Sequence, residues 1–593
     1  MDLAVRDAAG YADLRSYAAI GDTRTVALIA GDGSIDWLPL PDLHSVPVFA
    51  RLLDGPGGGS FELCPRSAHR VRREYEHGTN VLVTTYTTAT GTVRVTDALT
   101  VGVTGPLPWS ELVRLVEGVT GTVDMAWRVA PGTGLDTVSP WVHDTGHGAV
   151  LRMDAVTMAL RTAGAGPVEY DDRAASGRFT TGAGSRHVLA LVSSQGEPLR
   201  LPEVRRSEEN VEHTRRQWRR WSGQFTYDGP WRDEALRSML ALKLLAYGPS
   251  GAIAAAATTS LPESAAGGKN WDYRFAWLRD STYALHCMLA FGDFEDVHAS
   301  VSWLLRTARA RHAKLPVLAR LDGAQPDGVA RHDVPGWRGI GPVVSGNPAA
   351  EQLQLGVYGD LFDLVHTYVG AGNVLDLESA RFLASAADRV CDIWHRPDAG
   401  MWELPEYRHY TSSKMACWQA LDHAVDLAAD GHIPGTPDRW RRERDRIAAW
   451  VHEHCWNAER RAYTWYPGTR ALDTSVLLHA RRGGFDAGDR MRATVDAVLE
   501  ELSAGPLIYR YSGADKEEKT FTACAFWTVT ALASLGRRAE AEQRMGELLP
   551  LANDVGLYTE MIDAEDHSFW GNAPQALSHL AVTTAITALA GTE

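Results

Sequence analysis

The feature that most constrains the fold of this chain is a change in hydrophobic periodicity near residue 205. Before that point, short runs of alternating apolar and polar side chains are separated by glycine-rich breaks such as DGPGGGS and TAGAGP. Such alternation indicates strands that bury one face. Beyond residue 231, apolar residues recur every three or four positions, which is typical of helices with one buried face. The sequence therefore predicts a β-rich part followed by a helical part.

The strand pattern is clearest in the segment NVLVTTYTTATGTVRVTDALTV. In residues 81–87 the odd-numbered side chains are predicted to form a half-buried face. A turn is predicted near residues 90–91, and Val93 and Val95 continue the alternation on the second strand of a hairpin. Similar runs occur at AVLRMDAV and HVLALVSS. An antiparallel β-sandwich is the simplest architecture for strands of this kind.

The segment EVRRSEENVEHTRRQWRRWSGQF that follows is highly charged and does not alternate. It predicts an exposed connecting helix, which the sequence YDGPW then ends. Its basic cluster, residues 215–220, is interpreted as the solvated face of a linker rather than a nucleic-acid-binding patch. We therefore predict an N-terminal domain over residues 1–204, a helical linker over 205–228 and a C-terminal domain over 229–593.

The C-terminal part has room for about a dozen helices, at roughly 30 residues for each helix and its loop. Two apolar stripes illustrate the helical pattern, and residues 411–413 are available as caps for one of these helices. The stripes consist of Met415, Trp418, Leu421 and Val425 in one helix, and Phe382, Leu383, Ala386, Val390 and Ile393 in the other. Paired helices closing into a toroid agree with this count, although periodicity alone does not distinguish a toroid from an open solenoid.

The composition excludes several classes of function. A net charge of −15 and a pI near 5.8 would repel a phosphate backbone or an anionic membrane surface. The N-terminus lacks a basic segment followed by an apolar core, and no stretch has about 18 uncharged apolar residues, so a cytoplasmic protein is expected. The six cysteines are dispersed without zinc-ligand spacing. Nucleic acid and membrane are therefore not expected as partners.

Aromatic and charged residues are concentrated in the loops between the predicted helices. In NWDYRFAWLRDS, the residues Tyr273, Trp277, Arg279 and Asp280 lie directly ahead of an apolar helix. An isolated arginine–aspartate couple is usually a structural ion pair, but beside flat rings it can hold sugar hydroxyls as donor and acceptor. The aromatic density favours a binding pocket.

Two glutamates in other loops are candidates for a catalytic pair. Glu403 follows Trp402 in GMWELPEYRHY, and Glu560 lies in GLYTEMID. Hydrolysis of an acetal needs a protonated carboxyl at the leaving oxygen and an ionised carboxylate that activates water. This requirement by itself does not select these two side chains among 74 acidic residues.

A series of segments in this chain resembles glycoside hydrolase family 15, the group of glucoamylases, glucodextranases and bacterial trehalases. The segments are IGDTRTVALIAGDGSIDWLPLP, NWDYRFAWLRDS, GNPAAEQLQLGVYGDLFD, GMWELPEYRHYTSSKMACWQALDHA, EEKTFTACAFWTVTALA and NDVGLYTEMID with GNAPQALSHLA. The resemblance covers nearly the whole chain. It implies an N-terminal antiparallel β-sandwich, a C-terminal (α/α)6 toroid barrel, and hydrolysis of α-glucosidic bonds with inversion of the anomeric centre.

The same resemblance implies roles for individual residues. Glu403 matches the general acid and Glu560 the general base, while Arg279 and Asp280 match the pair that holds the non-reducing glucose. The other residues implied to line the pocket or its rim are Tyr273, Trp277, Trp402, Arg510 and Glu517. The acid is expected to have a raised pKa among aromatic walls, and the base to stay ionised in a more polar setting. Inversion requires the two carboxyls to be about 6.5–9.5 Å apart, with room for one water.

Several positions depart from the family pattern. Leu404 stands where fungal glucoamylases carry a second acidic residue that binds the neighbouring sugar, so the leaving-group subsite is expected to differ. The other departures are Gly356, Asp360, Lys519 and Met561.

The substrate expected first is trehalose or a short α-gluco-oligosaccharide. A glucoamylase or α-glucosidase acting on malto- or isomalto-oligosaccharides is an alternative. An inverting phosphorylase would need only the acid, and a non-catalytic carbohydrate-binding protein is the alternative from another class. No cofactor and no metal site are predicted, because His409, His423, His454 and His579 are scattered. A small carbohydrate is the expected partner, and a homo-oligomer is compatible with the sequence.

Overall fold

The chain folds into an antiparallel sheet domain followed by a helical domain, as the change in periodicity predicts. The structure is a computed structural model that describes residues 5–102, 109–146, 148–310, 314–480 and 484–591. The strands of the sheet domain are β1 (Ala18–Gly21), β2 (Val26–Ile29), β3 (Ile35–Pro39), β4 (Pro47–Phe49), β5 (Gly59–Pro65), β6 (His69–Tyr75), β7 (Leu82–Thr88), β8 (Gly91–Leu99), β9 (Ser110–Pro131), β10 (Trp141–Thr145), β11 (Gly148–Met153), β12 (Val156–Ala163), β13 (Glu169–Tyr170), β14 (Ala175–Gly182) and β15 (Arg186–Gln195).

The long strand β9 joins the two halves of this sheet. Its N-terminal half pairs with β8 and β15, and its C-terminal half pairs with β5 and β14, always antiparallel. The main path through the sheet runs β1-β2-β3-β5-β9-β15-β12-β11-β10, and β6, β7 and β8 form a meander on β9. One strand therefore contributes residues to both halves, which ties them into a single domain.

The predicted hairpin is present as β7 and β8, and its buried face agrees with the prediction in part. Val81, Val83, Val93 and Val95 are buried as predicted, whereas Thr85 is half-buried and Thr87 is exposed. Leu82, Thr84 and Tyr86 are buried as well, so both faces are covered over residues 81–84. A tyrosine ring buries more apolar surface than a threonine, so beyond residue 84 the even-numbered face of β7 is the buried one.

The remaining elements are helices connected by loops and very short strand pairs. The helices are α1 (Val204–Ser222), α2 (Arg232–Leu245), α3 (Leu278–Ala290), α4 (Phe294–Arg309), α5 (Gly356–Gly370), α6 (Leu377–Ile393), α7 (Thr411–Ala429), α8 (Pro437–His454), α9 (Asp489–Leu502), α10 (Thr522–Ser534), α11 (Arg538–Leu548) and α12 (Ala576–Ala590). The strand pairs are β16 (Ala246–Tyr247) with β17 (Ala252–Ile253), β18 (Ala276–Trp277) with β19 (Leu318–Ala319), β20 (Ala330–His332) with β21 (Val343–Ser345), β22 (Trp456–Asn457) with β23 (Ala462–Tyr463), and β24 (Ser503–Ala504) with β25 (Leu507–Ile508). A last group contains β26 (Thr520–Phe521), β27 (Met561–Ile562) and β28 (Phe569–Trp570).

Within the described ranges, none of the helices combines the length and apolar composition that crossing a bilayer requires.

Helix contacts form a closed circuit in the C-terminal part. α3 packs on α5, α5 on α7, and α7 on a 3₁₀ helix (Thr474–His479); that helix packs on α10, α10 on α12, and α12 on α3. Helices that come between these in the chain, such as α4, α6, α8 and α11, each contact a member of the circuit. Twelve of the fifteen residues of α12, which belongs to the circuit, are buried, but only three of the eighteen of α8.

The two apolar stripes are located as predicted, but the predicted helix caps are not. In α6 and α7 the stripe residues are buried, except that Phe382 and Trp418 are half-buried. Helix α7 begins at Thr411, so residues 411–413 lie inside the helix. Their side chains bond elsewhere: Thr411 Oγ1 donates to the Thr464 carbonyl at 2.5 Å and Ser413 Oγ to Asp398 at 2.8 Å. The hydroxyls of Thr411 and Ser413 therefore bond to residues outside α7 rather than capping this helix.

The sheet domain contacts the loop that precedes α3. Nε1 of Trp37 donates a hydrogen bond to the carbonyl of Ala257 at 2.9 Å. The guanidinium of Arg274 donates to the carbonyl of Ser45 at 2.8 Å and forms a buried two-point ion pair with Asp272, at 2.9 and 2.8 Å. The N-terminal domain therefore supports the loop that carries the predicted aromatic residues.

Candidate active site

A cleft opens at the end of the helical domain where several inner helices begin. The residues directly before α3, α10 and α12, which are Trp277, Phe521 and Gln575, all line it. The cleft has a volume of about 910 Å³, which includes the solvent-filled space at its mouth. Seven of the nine predicted site residues line the cleft: Tyr273, Trp277, Arg279, Asp280, Trp402, Glu403 and Arg510. The loops at this end thus bring together residues from distant parts of the chain.

Glu403 lies on a tight turn between α6 and α7. Its backbone has φ 62, a left-handed conformation that is costly for a residue with a Cβ atom. The preceding Gly400 has φ 66, and a Cβ there would lie 2.7 Å from the ring of Tyr410. Nε1 of Trp277 donates a hydrogen bond to Oε1 of Glu403 at 2.6 Å, and the Gln352 amide donates to its carbonyl at 2.9 Å. The carboxyl is therefore held in one position at the cleft wall.

Glu560 lies directly before β27, behind the cleft wall, and is fully buried. Its Oε2 accepts a hydrogen bond from the backbone N–H of Asn572 at 3.0 Å. Gly571 has φ 72, and a Cβ at that position would lie 2.5 Å from Oε2 of Glu560, so this close approach requires glycine. Oε1 of Glu560 has no hydrogen bond of good geometry to the described residues, although the Tyr273 hydroxyl is close enough to lower the pKa of the carboxyl. One oxygen is thus anchored to the backbone, and the other can still accept a hydrogen bond.

Tyr273 lines the cleft and interacts electrostatically with both glutamates. Its ring packs edge-on against Trp277, with ring centroids 5.3 Å apart. Burial raises the pKa of Tyr273, and the negative charges of Glu560, Glu263 and Glu403 raise it further. The phenol therefore keeps its proton and is a hydrogen-bond donor within the electrostatic range of all three carboxyls.

Arg279 and Asp280 form an ion pair at the first turn of α3. Nε of Arg279 donates to Oδ1 of Asp280 at 2.8 Å, and its Nη1 donates to the carbonyl of Met401 at 2.9 Å. Asp280 is buried, and both side chains face the cleft. The second contact connects this pair to the turn that carries Glu403.

Trp402 forms an aromatic wall of the cleft. Its Nε1 donates to Oδ1 of Asp473 at 2.8 Å, and its ring lies 5.6 Å from Phe521 and 6.1 Å from Trp527. The guanidinium of Arg510 lies 5.4 Å from the same ring. Burial raises the pKa of Asp473 to about 6. The indole is fixed from both sides, which suits a surface on which a sugar ring packs.

Arg510 is the centre of a buried charge network. Its Nη2 donates to Oε2 of Glu263 at 2.7 Å, and both its Nε and Nη2 donate to Glu518. Lys269, which also lines the cleft, bonds to Glu518 and to the exposed Glu517. The structure thus places the predicted Glu517 at the outer side of the network, while the direct partner of Arg510 is the adjacent Glu518.

Glu263 is a cleft residue that the sequence analysis did not identify. It is 2% exposed, lines the cleft and pairs with Arg510 across 247 positions of the chain. Burial raises the pKa of Glu263 to about 7; the nearby Arg510 charge opposes this and the Glu518 charge adds to it. A glutamate seven residues ahead of the segment NWDYRFAWLRDS was the available signal, but its partner could not be predicted from the sequence.

The environments of the two predicted catalytic glutamates differ from the expectation in one respect. Burial raises the pKa of Glu403, against the opposing effects of Arg279 and the Trp277 hydrogen bond, as expected for an acid. Burial also raises the pKa of Glu560, to about 8, and the charge of Glu263 adds to this. The more polar setting predicted for Glu560 is therefore wrong for this structure, because its position behind the cleft wall removes it from solvent.

Comparison with known proteins identifies the family. The chain matches the model of the glycosyl hydrolases family 15 over residues 229–549 and that of the trehalase-like N-terminal domain over residues 10–189. A trehalase from Mycobacterium tuberculosis is 32% identical, with the alignment covering 97% of this chain and 89% of that protein. A trehalase from Thermoplasma acidophilum is 30% identical, covering 94% and 96%.

Among solved structures, a bacterial glucoamylase complexed with acarbose matches with a TM-score of 0.72. The match covers 98% of this chain and 94% of that one at 13% identity, so it shows a shared fold alone. The family model spans more than half of the residues, and the relative with 32% identity aligns along nearly the whole chain. The resemblance seen in the sequence is confirmed: this chain belongs to the glycosyl hydrolases of family 15.

Proposed function

We propose that this protein hydrolyses trehalose, with Glu403 as general acid and Glu560 as general base. The observation that carries the proposal is that Tyr273, which lines the cleft with Glu403, is also within electrostatic range of the buried Glu560. Trehalose is the preferred substrate because the relatives that align along nearly the whole chain, at 29–32% identity, are trehalases. The trehalase-like N-terminal match points in the same direction.

In the proposed reaction, Glu403 transfers its proton to the oxygen between the two glucose units. Oε1 of Glu403 accepts the Trp277 N–H, so the other carboxyl oxygen carries the proton. The raised pKa keeps this carboxyl protonated at higher pH than an exposed glutamate. The bond from the anomeric carbon to the bridging oxygen breaks as the oxygen gains the proton.

Glu560 is proposed to remove a proton from the water that attacks the anomeric carbon from the opposite face. Its Oε1 is the acceptor for that water, while Oε2 stays bonded to the Asn572 N–H. A water hydrogen bonded to Oε1 favours the ionised carboxylate, so a pKa that is high in the free enzyme falls when substrate and water are in place. Attack from the opposite face inverts that carbon and yields one β-glucose and one α-glucose.

Arg279 and Asp280 are proposed to bind hydroxyls of the glucose that is attacked. They face the cleft as a donor and an acceptor at one position, and Arg279 is tied to the turn of Glu403 through Met401. Trp402, Trp277 and Tyr273 would then form the walls, and Arg510 with Glu263 the rim. Leu404, which also lines the cleft, gives the second sugar an apolar contact in place of an acidic one.

The finer description of the fold is part of the same proposal. The closed circuit of contacts and the alternation of buried and exposed helices support an (α/α)6 toroid in which the 3₁₀ helix (Thr474–His479) takes one inner place. The two halves joined by β9 support a β-sandwich. We propose domains over residues 1–204 and 229–593, with a linker over 205–228 that holds most of α1.

The test is to incubate the purified protein with trehalose, maltose, isomaltose and kojibiose, each with and without phosphate. Glucose release from trehalose that does not need phosphate, with equal α- and β-glucose in early proton NMR spectra, is the expected result. Glu403→Gln and Glu560→Gln should each abolish release, whereas Glu517→Gln, at an exposed glutamate, should not.

Other outcomes would replace the proposal with a specific alternative. Release from maltose or isomaltose in preference to trehalose would indicate an α-glucosidase. Dependence on phosphate would indicate a phosphorylase, and binding of trehalose without turnover would indicate a carbohydrate-binding protein. Two equivalents of β-glucose, or of α-glucose, in the first minutes would contradict inversion at one carbon.

A further inference from the structure

A group of histidine and aspartate side chains lies on α5 and α7, outside the cleft. In the described part of the chain, His366, His423 and Asp426 are the one group of three such residues whose ligand atoms all lie within 4.8 Å of one another. Thr411, the first residue of α7, is next to the cleft loop, and His423 is twelve positions further along the helix. At 1.5 Å per residue, the group is roughly 18 Å from the start of the helix.

Helix geometry explains why these side chains meet. His366 is on α5, and His423 and Asp426 are three positions apart on α7, so the latter two lie on one face. The two helices pack against each other in the inner circuit. The rings of His366 and His423 are stacked with centroids 4.3 Å apart, and Nε2 of His366 is 3.9 Å from Oδ2 of Asp426.

A buried carboxylate fixes the orientation of His423. Oδ1 of Asp363 is 3.2 Å from Nε2 of His423, and its Oδ2 is 2.9 Å from Nε2 of His286. A carboxylate accepts, so the hydrogen of the neutral His423 ring is on Nε2 and its lone pair is on Nδ1. Histidines that bind a metal are held in this way, with the second ring nitrogen donating to a carboxylate.

The lone pair of His423 has no partner. Nδ1 is buried and accepts no hydrogen bond from the residues that the structure describes. A buried nitrogen of this kind is costly unless something binds to it. His366 and Asp426 are beside it, and their side chains are 41% and 57% exposed, so an ion can reach the group from solvent.

We propose that His366, His423 and Asp426 bind a divalent transition-metal ion, of which Zn²⁺ is the best representative. Two imidazoles and one carboxylate suit zinc, cobalt, nickel or copper, whereas magnesium and calcium prefer oxygen ligands. Ligand atoms around a tetrahedral zinc lie roughly 3.3 Å apart, since each bond is about 2.0 Å. The two exposed side chains have the freedom to close the remaining distance.

The surrounding charges favour a cation. The carboxylates of Asp363 and Asp422 act on His366 in addition to Asp426. The nearby Arg444 on α8 donates to Asp422 at 2.9 Å. A bound ion would join α5 to α7 at the end of the domain away from the cleft, and it would stabilise their packing without touching the catalytic residues.

The test is a zinc titration of untagged protein that has been dialysed against EDTA and then returned to metal-free buffer at pH 7.5. Calorimetry with ZnCl₂ should show one ion per chain and a rise in Tm, and Co²⁺ should give a visible d–d absorption band. MgCl₂ at the same concentration should do neither. Because the ligands are outside the cleft, glucose release is not the readout.

Two variants at exposed ligands and one control complete the experiment. His366→Ala and Asp426→Asn should each weaken zinc binding at least tenfold and remove the rise in Tm, while their melting in EDTA stays close to that of the parent. His77→Ala, at an exposed turn of the sheet domain, should bind as the parent does. Parent protein that binds no zinc, or variants that bind it with unchanged stoichiometry and affinity, would overturn the proposal.

Discussion

The two glutamates of the cleft are held by different kinds of structure. Glu403 is on a strained turn with a half-buried side chain, and an indole N–H and a guanidinium lie beside it. Glu560 is at the start of β27, fully buried, with one oxygen anchored to a backbone N–H and the other able to accept a hydrogen bond. Burial raises the pKa of both carboxyls. The free-enzyme pKa values therefore do not distinguish the acid from the base, and the two roles have to be separated by experiment.

The largest expected effect separates the two roles directly. Glu403→Gln and Glu560→Gln should each lower kcat on trehalose by roughly 10²–10⁴, the range that general acid or base catalysis contributes. On α-glucosyl fluoride, whose leaving group needs no proton, Glu403→Gln should regain most of its activity and Glu560→Gln should not. Recovery by the Glu560 variant instead would mean that the assignments must be exchanged.

The second-largest expected effect tests the hydrogen bond that holds Oε2 of Glu560 on the Asn572 N–H. Gly571→Ala places a Cβ 2.5 Å from Oε2 at φ 72, so the carboxylate must move and kcat should fall at least about tenfold, since small displacements of a catalytic group are costly. Gly513→Ala is the matched control, with φ 91 and open space around its Cβ. Both variants should lose about 1–3 kcal/mol of stability from the left-handed backbone, and only Gly571→Ala should lose activity. Equal kcat in the two variants would show that the anchored oxygen is not needed.

Two substitutions should shift the acid limb of the kcat/KM pH profile, which is expected to report the ionisation of Glu560, in opposite directions. The Tyr273 hydroxyl lowers the pKa of Glu560 and the Glu263 charge raises it. Tyr273→Phe should therefore shift the acid limb of kcat/KM to higher pH, and Glu263→Gln to lower pH. Tyr273→Phe should also cost about tenfold in kcat/KM, the value of a hydrogen bond to a charged group.

The reference for this pair is the pH profile of the parent. Since kcat/KM reports the free enzyme and kcat the substrate complex, the acid limb should lie at lower pH in kcat if bound water stabilises the Glu560 carboxylate. Shifts of both variants in the same direction would indicate that the limb belongs to another group.

The smallest effect is on stability. The pKa of Glu560 is about 8 in the folded protein against 4.5 for an unperturbed glutamate, so the folded state binds this proton more tightly. The resulting stabilisation is complete below pH 4.5 and is lost as pH rises through 8. The free energy of unfolding in urea should therefore fall more steeply between pH 5 and 8 for the parent than for Glu560→Gln, by at most about 1.4 kcal/mol per pH unit. Equal slopes for the parent and Glu560→Gln would indicate that the folded protein does not retain this proton. The control Glu517→Gln should show the same pH dependence of the free energy of unfolding as the parent.

Much of the molecule could be predicted from local sequence. The two-residue alternation located the hairpin at β7 and β8, and the helical stripes located α6 and α7. Local rules failed where a distant partner competed, as with the Thr411 hydroxyl that bonds to Thr464 rather than capping α7. The buried face of β7 was predicted correctly at Val83 but not at Thr85 and Thr87, where the packing of Tyr86 determines which face is buried.

The candidate site was predicted only in part, because its contiguous motifs could be recognised but its long-range contacts could not. Motifs identified the residues of the cleft wall, because each motif is contiguous in the chain. Glu263 was missed, and Glu517 was chosen instead of the adjacent Glu518. Both Glu263 and Glu518 contact Arg510, and no sequence spacing indicates the contact with Glu263. His423 was counted among scattered histidines for the same reason, since only the packing of α5 on α7 brings it beside His366 and Asp426.

The order of a strand-rich and a helix-rich domain, and the contiguous motifs that mark the family, follow from the sequence. Folding in three dimensions brings Tyr273 within electrostatic range of Glu403, Glu560 and Glu263, and it buries Glu560 more deeply than Glu403. The physical reason is the range of the forces involved. Periodicity reflects contacts within a few residues, whereas desolvation and charge interaction depend on distances in space between segments that are hundreds of residues apart.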